Sequence, residues 1–205
     1  TGVYKWFPRV GTALMAVGFF WFTFATADKP VWFMMIGMFF VGLGLGQLMQ
    51  TLTIASQNSV GPRDIGVATS SSTFFRQIGG TLGVAILFSV LYTRIPEAIA
   101  AAFKDKTNLA NLAAAANDPD VVSDPANKGI LSLLQSAQGG DTSAVSDSLN
   151  GDSSFLTGAD SRLTAPFLQG FNDAAVSIFW VALGVVLVAF VLSWFLKTSP
   201  LRAKS

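Results

Sequence analysis

Four long apolar runs limit what this 205-residue chain can fold into. They extend over about residues 10–26, 31–57, 65–95 and 174–196. A helix needs about 20 mainly apolar residues to cross the roughly 30 Å of hydrocarbon in a bilayer, and each run is near or above that length. The sequence therefore predicts an all-α integral membrane protein with four transmembrane helices.

Composition supports a membrane protein and excludes several classes of site. Charged residues make up 12% of the chain, which is about half the usual share in a soluble domain. The net charge of +1 gives no basic face for nucleic acid. Because the chain has no histidine and no cysteine, a histidine-based triad, a thiolate nucleophile and the common zinc sites are excluded. We expect no enzyme activity, no metal, no cofactor and no nucleic-acid partner.

The positions of Lys and Arg predict the orientation of the spans, since cytoplasmic loops are enriched in these residues. Basic residues lie before the first span, between the second and third, and after the fourth, at Lys5, Arg9, Arg63, Lys197, Arg202 and Lys204. The stretch from residue 94 to 173 instead has ten acidic and five basic residues. We predict that both ends of the chain are cytoplasmic, including a tail at 197–205, and that the loop 96–173 is extracellular.

The extracellular loop is predicted to contain short helices. Residues 97–116 and 128–138 favour helix, the second piece ends at Gly139-Gly140, and Asp-Pro pairs at 118–119 and 124–125 interrupt the pattern. Helical spacing resumes before the last span, in Leu163, Phe167, Leu168 and Phe171. One interpretation is a solvated loop whose helices cap the outer face. The other is a specific extracellular binding function, which no motif supports.

Each of the two middle spans has a stripe of polar and small residues on one face. On the second span the stripe consists of Gly42, Gly46, Gln50, Thr53 and Gln57. On the third it consists of Thr69, Ser72, Arg76, Gly79, Gly80 and Gly83. Small residues let a neighbouring helix approach closely, so the sequence predicts helix packing at Gly42, Gly46, Gly79, Gly80 and Gly83.

Arg76 lies in the middle of an apolar run. Such a charge costs about 2.5–3.5 kcal/mol at the centre of a membrane helix, so it should face protein or water. Gln50 and Gln57 also need partners or water. Two interpretations stay open: polar contacts that only hold helices together, or a substrate or proton path formed by Gln50, Thr53, Gln57 and Arg76. No Asp or Glu lies in the core of the four spans, so a proton-coupled carrier would hold its proton on other helices.

Short sequence motifs lie within the apolar runs and beside them. They are GVYKWFP at 2–8 with GTALM at 11–15, GLGLG at 42–46 with Gln50, Gln57-Asn58 followed by RDIGVATS at 63–70, FFRQIGG at 74–80 with Gly83, and PLR at 200–202. Together they resemble the C-terminal part of a major facilitator superfamily drug:proton antiporter of the fourteen-spanner, EmrB/QacA-like family. The resemblance covers nearly the whole chain. Gly61-Pro62 departs from the pattern, in which a bulkier residue usually lies near the proline.

The resemblance implies that the chain holds the last four of fourteen spans, in the C-terminal half of a major facilitator fold. It also implies a carrier in a bacterial plasma membrane that exports drugs or other amphipathic compounds against proton entry by alternating access. The implied partners are membrane lipids, a drug-like substrate, protons and the N-terminal part of the same transporter. Two alternatives stay open: an exporter of one endogenous metabolite, and a non-transporting membrane module whose polar stripes only pack helices.

Overall fold

The structure is a computed structural model that describes residues 6–27, 29–138 and 156–195. Its helices are α1 (Trp6–Phe22), α2 (Val31–Asn58), α3 (Ile65–Ala102), α4 (Lys106–Ala116), α5 (Pro119–Ser123), α6 (Lys128–Gln138) and α7 (Ser161–Trp194), with 3-10 turns at Pro62–Asp64 and Pro125–Asn127. The described residues are thus all-helical, as predicted. The chain divides into two compact units: unit 1 is Thr1–Val90 with Val176–Ser205, and unit 2 is Leu91–Ala175.

Three helical stretches among the described residues are long and apolar enough to cross a membrane. They are Val31–Asn58, Pro62–Ala102 and Ser161–Trp194. α1 has 17 residues, which gives a rise of about 25 Å against a hydrocarbon thickness of about 30 Å. Its role as a fourth span therefore stays a prediction.

α1 ends at Phe22, four residues before the end of the predicted span 10–26. The backbone N–H of Ala25 donates to the carbonyl of Phe22 at 3.0 Å, which turns the chain. The indole N–H of Trp21 donates to the carbonyl of Phe33 at 3.0 Å, and the two rings stack with their centroids 4.8 Å apart. These contacts fix the end of α1 against the first turn of α2.

Glycines set the close contact between α1 and α2. A Cβ added at Gly11 would lie 3.0 Å from the carbonyl oxygen of Gly44, and a Cβ at Gly18 would lie 3.0 Å from that of Gly37. Gly11 and Gly18 are seven residues apart, and so are Gly44 and Gly37 in the reverse direction. The two helices are therefore antiparallel and meet on one glycine face of each, since seven residues correspond to two helical turns.

α1 also packs against the part of α7 that belongs to unit 1. Phe22 stacks on Phe179 with ring centroids 4.8 Å apart, and the Arg9 guanidinium lies 4.3 Å from the ring centroid of Trp194. The start of α1 thus meets the end of α7, and the end of α1 meets an earlier part of α7. The two helices are antiparallel, and α1 has packed neighbours in both α2 and α7.

Unit 2 has a hydrophobic core of its own. The segment predicted as a loop with short helices buries side chains from both of its flanking helices and from the helices between them. The buried core consists of Ile95, Ile99, Ala115, Val121, Ile130, Leu163, Phe167 and Ala174. α6 has the predicted bounds, Lys128–Gln138. Leu168 is 49% exposed, so of the four apolar residues predicted near the return to the membrane it lies off the buried face.

α3 continues through Pro96 to Ala102, beyond the predicted span end at residue 95. A proline inside a helix costs about 3 kcal/mol, because it removes one backbone hydrogen bond and crowds the preceding turn. Ile95 and Ile99 are 6% and 3% exposed. Their burial contributes about 1.5–3 kcal/mol each, which offsets the proline and keeps the chain helical.

Polar contacts in unit 2 join the return helix to the preceding turns. Asn127 is 2% exposed; its side-chain amide donates to the carbonyl of Val121 at 2.8 Å and its side-chain oxygen accepts from the backbone N–H of Asp160 at 2.8 Å. Nη2 of Arg162 lies 3.0 Å from a carboxylate oxygen of Asp160 and 3.0 Å from one of Asp118. The side-chain hydrogen bond from Arg162 is the main cause that lowers the pKa of Asp160 from its ordinary value.

The two Asp-Pro pairs start helical turns as well as interrupting the preceding pattern. The carboxylate of Asp118 accepts from the N–H of Asp120 at 3.2 Å, and that of Asp124 accepts from the N–H of Ala126 at 2.9 Å. Both are N-cap interactions, with proline at the first position where its missing N–H is not needed. The N–H groups of Asp120 and Ala126 are therefore satisfied locally.

Several predictions concern residues outside the described ranges. These are the first residues of the motif at 2–8, the Gly139-Gly140 helix end, the PLR motif at 200–202, the tail at 197–205, and the orienting charges Lys5, Lys197, Arg202 and Lys204.

Candidate functional site

The unit 1 part of α3 presents nearly all of its surface outward. Between Ile65 and Val90 only Ala68 is buried. Phe75 and Leu82 are 71% and 58% exposed. The described part of the chain thus covers neither the apolar nor the polar side of this helix. Apolar surface of this extent requires lipid or further protein against it.

A hydrogen bond joins the polar stripes of α2 and α3 close to their connection. Nε2 of Gln57 donates to the hydroxyl of Thr69 at 2.9 Å, and that hydroxyl donates to the carbonyl of Ile65 at 2.8 Å. Beside it, the hydroxyl of Ser56 donates to the carbonyl of Ala68 at 3.2 Å. Gln57 therefore has an interhelical partner, as the helix-packing interpretation requires.

The other three predicted path residues have no interhelical hydrogen bond to a described residue. The hydroxyl of Thr53 donates to the carbonyl of Met49 in its own helix at 2.9 Å. Gln50 and Arg76 are exposed, and none of the described residues forms an ion pair or a hydrogen bond with the Arg76 guanidinium. The structure brings Gln57 to the third-span stripe at Thr69 and leaves Gln50 and Arg76 available to other groups.

The two stripes have matched spacing when residues are counted from the hydrogen bond between Gln57 and Thr69. Gln50 lies seven residues before Gln57, and Arg76 lies seven residues after Thr69. Each step corresponds to about 10.5 Å of helix rise. Four residues further along each helix there is a glycine in each stripe, Gly46 and Gly80. Polar and small residues therefore recur at equal distances from the connection.

The glycines predicted to pack helices lie in open space. No atom that the structure describes is within 4 Å of a Cβ added at Gly42, Gly46, Gly79, Gly80 or Gly83. Their packing role stays a prediction about contacts beyond this chain. The glycines that do pack among the described residues lie at other positions, which are Gly11, Gly18, Gly37 and Gly44 between α1 and α2 and Gly170 against Ile99 in unit 2. The available signal was the same seven-residue spacing in two neighbouring helices.

An open groove of about 350 Å³ lies along one side of α3. It is lined by Phe74, Gln77, Ile78, Thr81 and Leu82. These positions recur at three- and four-residue steps, so they form one helix face. Because Phe74, Ile78 and Leu82 belong to the side of α3 away from Arg76, the groove is a surface for apolar groups and not a polar path.

Helices of membrane-spanning length with long uncovered apolar faces indicate a multi-pass helical membrane protein. No family model matches the chain, and no solved structure matches it. Known proteins similar in sequence include several that are named as transporters.

Three relatives illustrate the similarity. A tetracycline resistance determinant of Streptomyces rimosus is 32% identical over 198 residues, which cover 96% of this chain and 54% of that protein. An uncharacterised MFS-type transporter of Mycobacterium tuberculosis is 28% identical over 201 residues, which cover 98% of this chain and 24% of that protein. The multidrug transporter protein MdtP of Bacillus subtilis is 42% identical over 84 residues, or 41% of this chain and 16% of that protein.

The chain therefore spans about half the length of the first relative and about a quarter of the second. The relatives include MFS-type transporters, in agreement with the major facilitator resemblance of the motifs.

Proposed function

We propose that the chain is the C-terminal part of a proton-driven exporter of drugs or other amphipathic compounds, in the fourteen-spanner EmrB/QacA-like family. Similarity to a tetracycline resistance determinant over 96% of the chain is the observation that carries the proposal. The proposal includes four spans, with α1 as the first, a bacterial plasma membrane, and both ends of the chain in the cytoplasm. Tetracycline-like compounds are the first substrates to test.

In this proposal Gln50 and Arg76 line the substrate path at one depth. α2 runs toward the connection at Pro62–Asp64, and α3 runs away from it. When both helices cross the bilayer, residues at equal distances from that connection therefore lie at similar depths. About 10.5 Å of rise places both side chains well inside a hydrocarbon layer of about 30 Å. A guanidinium at that depth needs protein or water, and a hydrated path supplies it.

Gln57 and Thr53 have supporting roles in the same proposal. Gln57 ties α2 to α3 through the hydroxyl of Thr69 at 2.9 Å. The hydroxyl of Thr53 donates to a carbonyl within α2. The stripe between Gln50 and Gln57 therefore stays small and polar. The path is thereby narrow at the connection and open at Gln50 and Arg76.

Proton coupling assigns Arg76 the role of a fixed cation. An arginine side chain keeps its proton in proteins, so Arg76 cannot itself carry the coupling proton. A carboxylate outside this chain would be attracted to the guanidinium when ionised and released from it when protonated. Substrate and proton can then compete for the same polar region.

Replacing Arg76 with alanine in the full-length transporter tests the proposal. We expect Arg76→Ala to abolish drug resistance while membrane insertion stays normal, because the substitution removes a charge that costs about 2.5–3.5 kcal/mol to insert. Ile78→Ala is the matched control, since Ile78 lies about 200° around the same helix from Arg76 and is 41% exposed. Full resistance of Arg76→Ala at normal expression would contradict a role in transport.

Cysteine accessibility separates a transport path from helix packing. The chain has no cysteine, so single cysteines at Gln50, Arg76 and Leu82 can be placed in a cysteine-free full-length protein. We expect a water-soluble thiol reagent to label positions 50 and 76 at similar rates, and position 82, on the apolar side, to stay unlabelled. If neither 50 nor 76 is labelled from either side, the stripes only pack helices. Substrate profiling of the same protein distinguishes a drug exporter from an exporter of one metabolite.

A further inference from the structure

Arg9, Trp6 and Trp194 form a cationic aromatic cluster at one end of unit 1. The guanidinium carbon of Arg9 lies 5.7 Å from the Trp6 ring centroid and 4.3 Å from that of Trp194. The two indole rings are 65% and 58% exposed. Trp6 and Trp194 are the first residue of α1 and the last residue of α7. The transport proposal uses none of these three side chains.

No described residue accepts a hydrogen bond from the Arg9 guanidinium. A guanidinium has five N–H donors in one plane, and aromatic rings attract its face and not those donors. Nε of Arg9 is buried and has no hydrogen-bond partner, and no described residue forms an ion pair with Arg9. A buried donor without an acceptor is costly. Because Nε is enclosed, a ligand oxygen can reach only the terminal Nη donors of Arg9, for which no described residue supplies an acceptor.

The sequence around the cluster selects an anionic ligand. Residues 1–27 and 174–205 contain five Lys or Arg residues and no Asp or Glu. Tryptophan at a helix end is typical of the headgroup layer of a bilayer, where its ring meets the hydrocarbon and its N–H meets water. Phosphate groups are abundant in that layer, and basic segments near the membrane attract anionic lipids.

We propose that Arg9, held by Trp6 and Trp194, binds the phosphate of an anionic phospholipid headgroup. The rings hold the plane of the guanidinium, and its N–H donors face two phosphate oxygens in the paired geometry that arginine favours. The neighbouring basic residues of the sequence add attraction for a lipid of net negative charge. The binding is separate from transport, so it stands or fails independently of the proposed substrate path.

Melting temperatures of the full-length protein in detergent test this proposal. We expect phosphatidylglycerol to raise the melting temperature of the wild type, and phosphatidylcholine and inorganic phosphate at equal concentration to raise it less. Arg9→Gln should need about tenfold more phosphatidylglycerol for half of the shift, as expected when charge-assisted hydrogen bonds are lost. Arg63→Gln is the matched control: Arg63 is an exposed arginine that stacks on no ring among the described residues, and its response should equal that of the wild type.

Each other outcome overturns the proposal. Equal losses in Arg9→Gln and Arg63→Gln would show general attraction between basic protein and acidic lipid. An equal shift with inorganic phosphate would show a site for a free anion. If Arg9→Gln does not fold, Trp194→Leu keeps the charge and removes the nearer ring. Its response to phosphatidylglycerol should also weaken, and an unchanged response would refute the cluster as the binding site.

Discussion

A substitution at Gly44 tests the close contact between α1 and α2. An added Cβ would lie 3.0 Å from the backbone nitrogen of Met15 and would overlap the carbonyl oxygen of Gly11. Ordinary contact begins near 3.4 Å, so relieving the contact with Met15 requires a shift of 0.4 Å, and relieving the overlap with Gly11 requires a larger one. Such overpacking costs about 1–3 kcal/mol. Alanine also favours a helix over glycine by about 1 kcal/mol, which hides part of that cost.

The control for Gly44→Ala is Gly184→Ala. Gly184 lies in α7, and no described atom is within 4 Å of a Cβ added there. Both variants gain the same helix preference, so the difference between them isolates the backbone clash of about 1–3 kcal/mol. We expect Gly44→Ala to melt below Gly184→Ala by at least about 2 °C in detergent, measured on the full-length protein. Equal melting temperatures would refute the glycine contact.

Two further predictions concern unit 2. Asn127→Ala should destabilise the turn before α7 by about 1–3 kcal/mol, because the buried carbonyl of Val121 and the partly buried N–H of Asp160 lose their partner. Hydrogen exchange at the Asp160 amide should rise, and Asn117→Ala, at an exposed position, should leave it unchanged. Arg162 holds the pKa of Asp160 below its ordinary value, so the ionised carboxylate stabilises this turn above the ordinary pKa, and the effect is lost as pH falls through the lowered pKa. Hydrogen exchange of residues 156–165, corrected for the intrinsic rate, should therefore rise in acid, and Asp160→Asn should abolish that change.

It was predictable from the sequence that the long apolar runs form α-helices, because few other structures can cross a bilayer. The residues at which the helices end were less predictable. α1 stops at Phe22 because Trp21 bonds to α2, and α3 passes Pro96 because Ile99 enters a distant core. Both causes are contacts between residues far apart in sequence, and local patterns do not contain them. The core of unit 2 was missed for the same reason.

The features of the candidate site also divide into those that helical spacing predicts and those that depend on contacts between residues far apart in sequence. The two polar stripes were predictable from helical spacing, but the hydrogen bond between Gln57 and Thr69 fixes their register, and it depends on the geometry of the connection. Glycine roles were harder to assign. The four-residue spacing of Gly42 and Gly46 is typical of close helix packing and predicts a contact there. In the structure, α1 packs against Gly37 and Gly44 instead.

The glycines of α2 lie on two opposite faces of the helix, and one of these faces is closely packed. Gly44 and Gly46 are two residues apart, which is about 200° around the helix, so they point in nearly opposite directions. The Gly44 face is filled by α1, and the Gly46 face is open and includes Gln50. An exposed face that combines a small residue with an amide suits neither lipid nor bulk water as well as it suits another helix or a hydrated path. α2 therefore packs against α1 on its Gly44 face, and among the described residues its Gly46 face stays open along the polar stripe on which transport is proposed to depend.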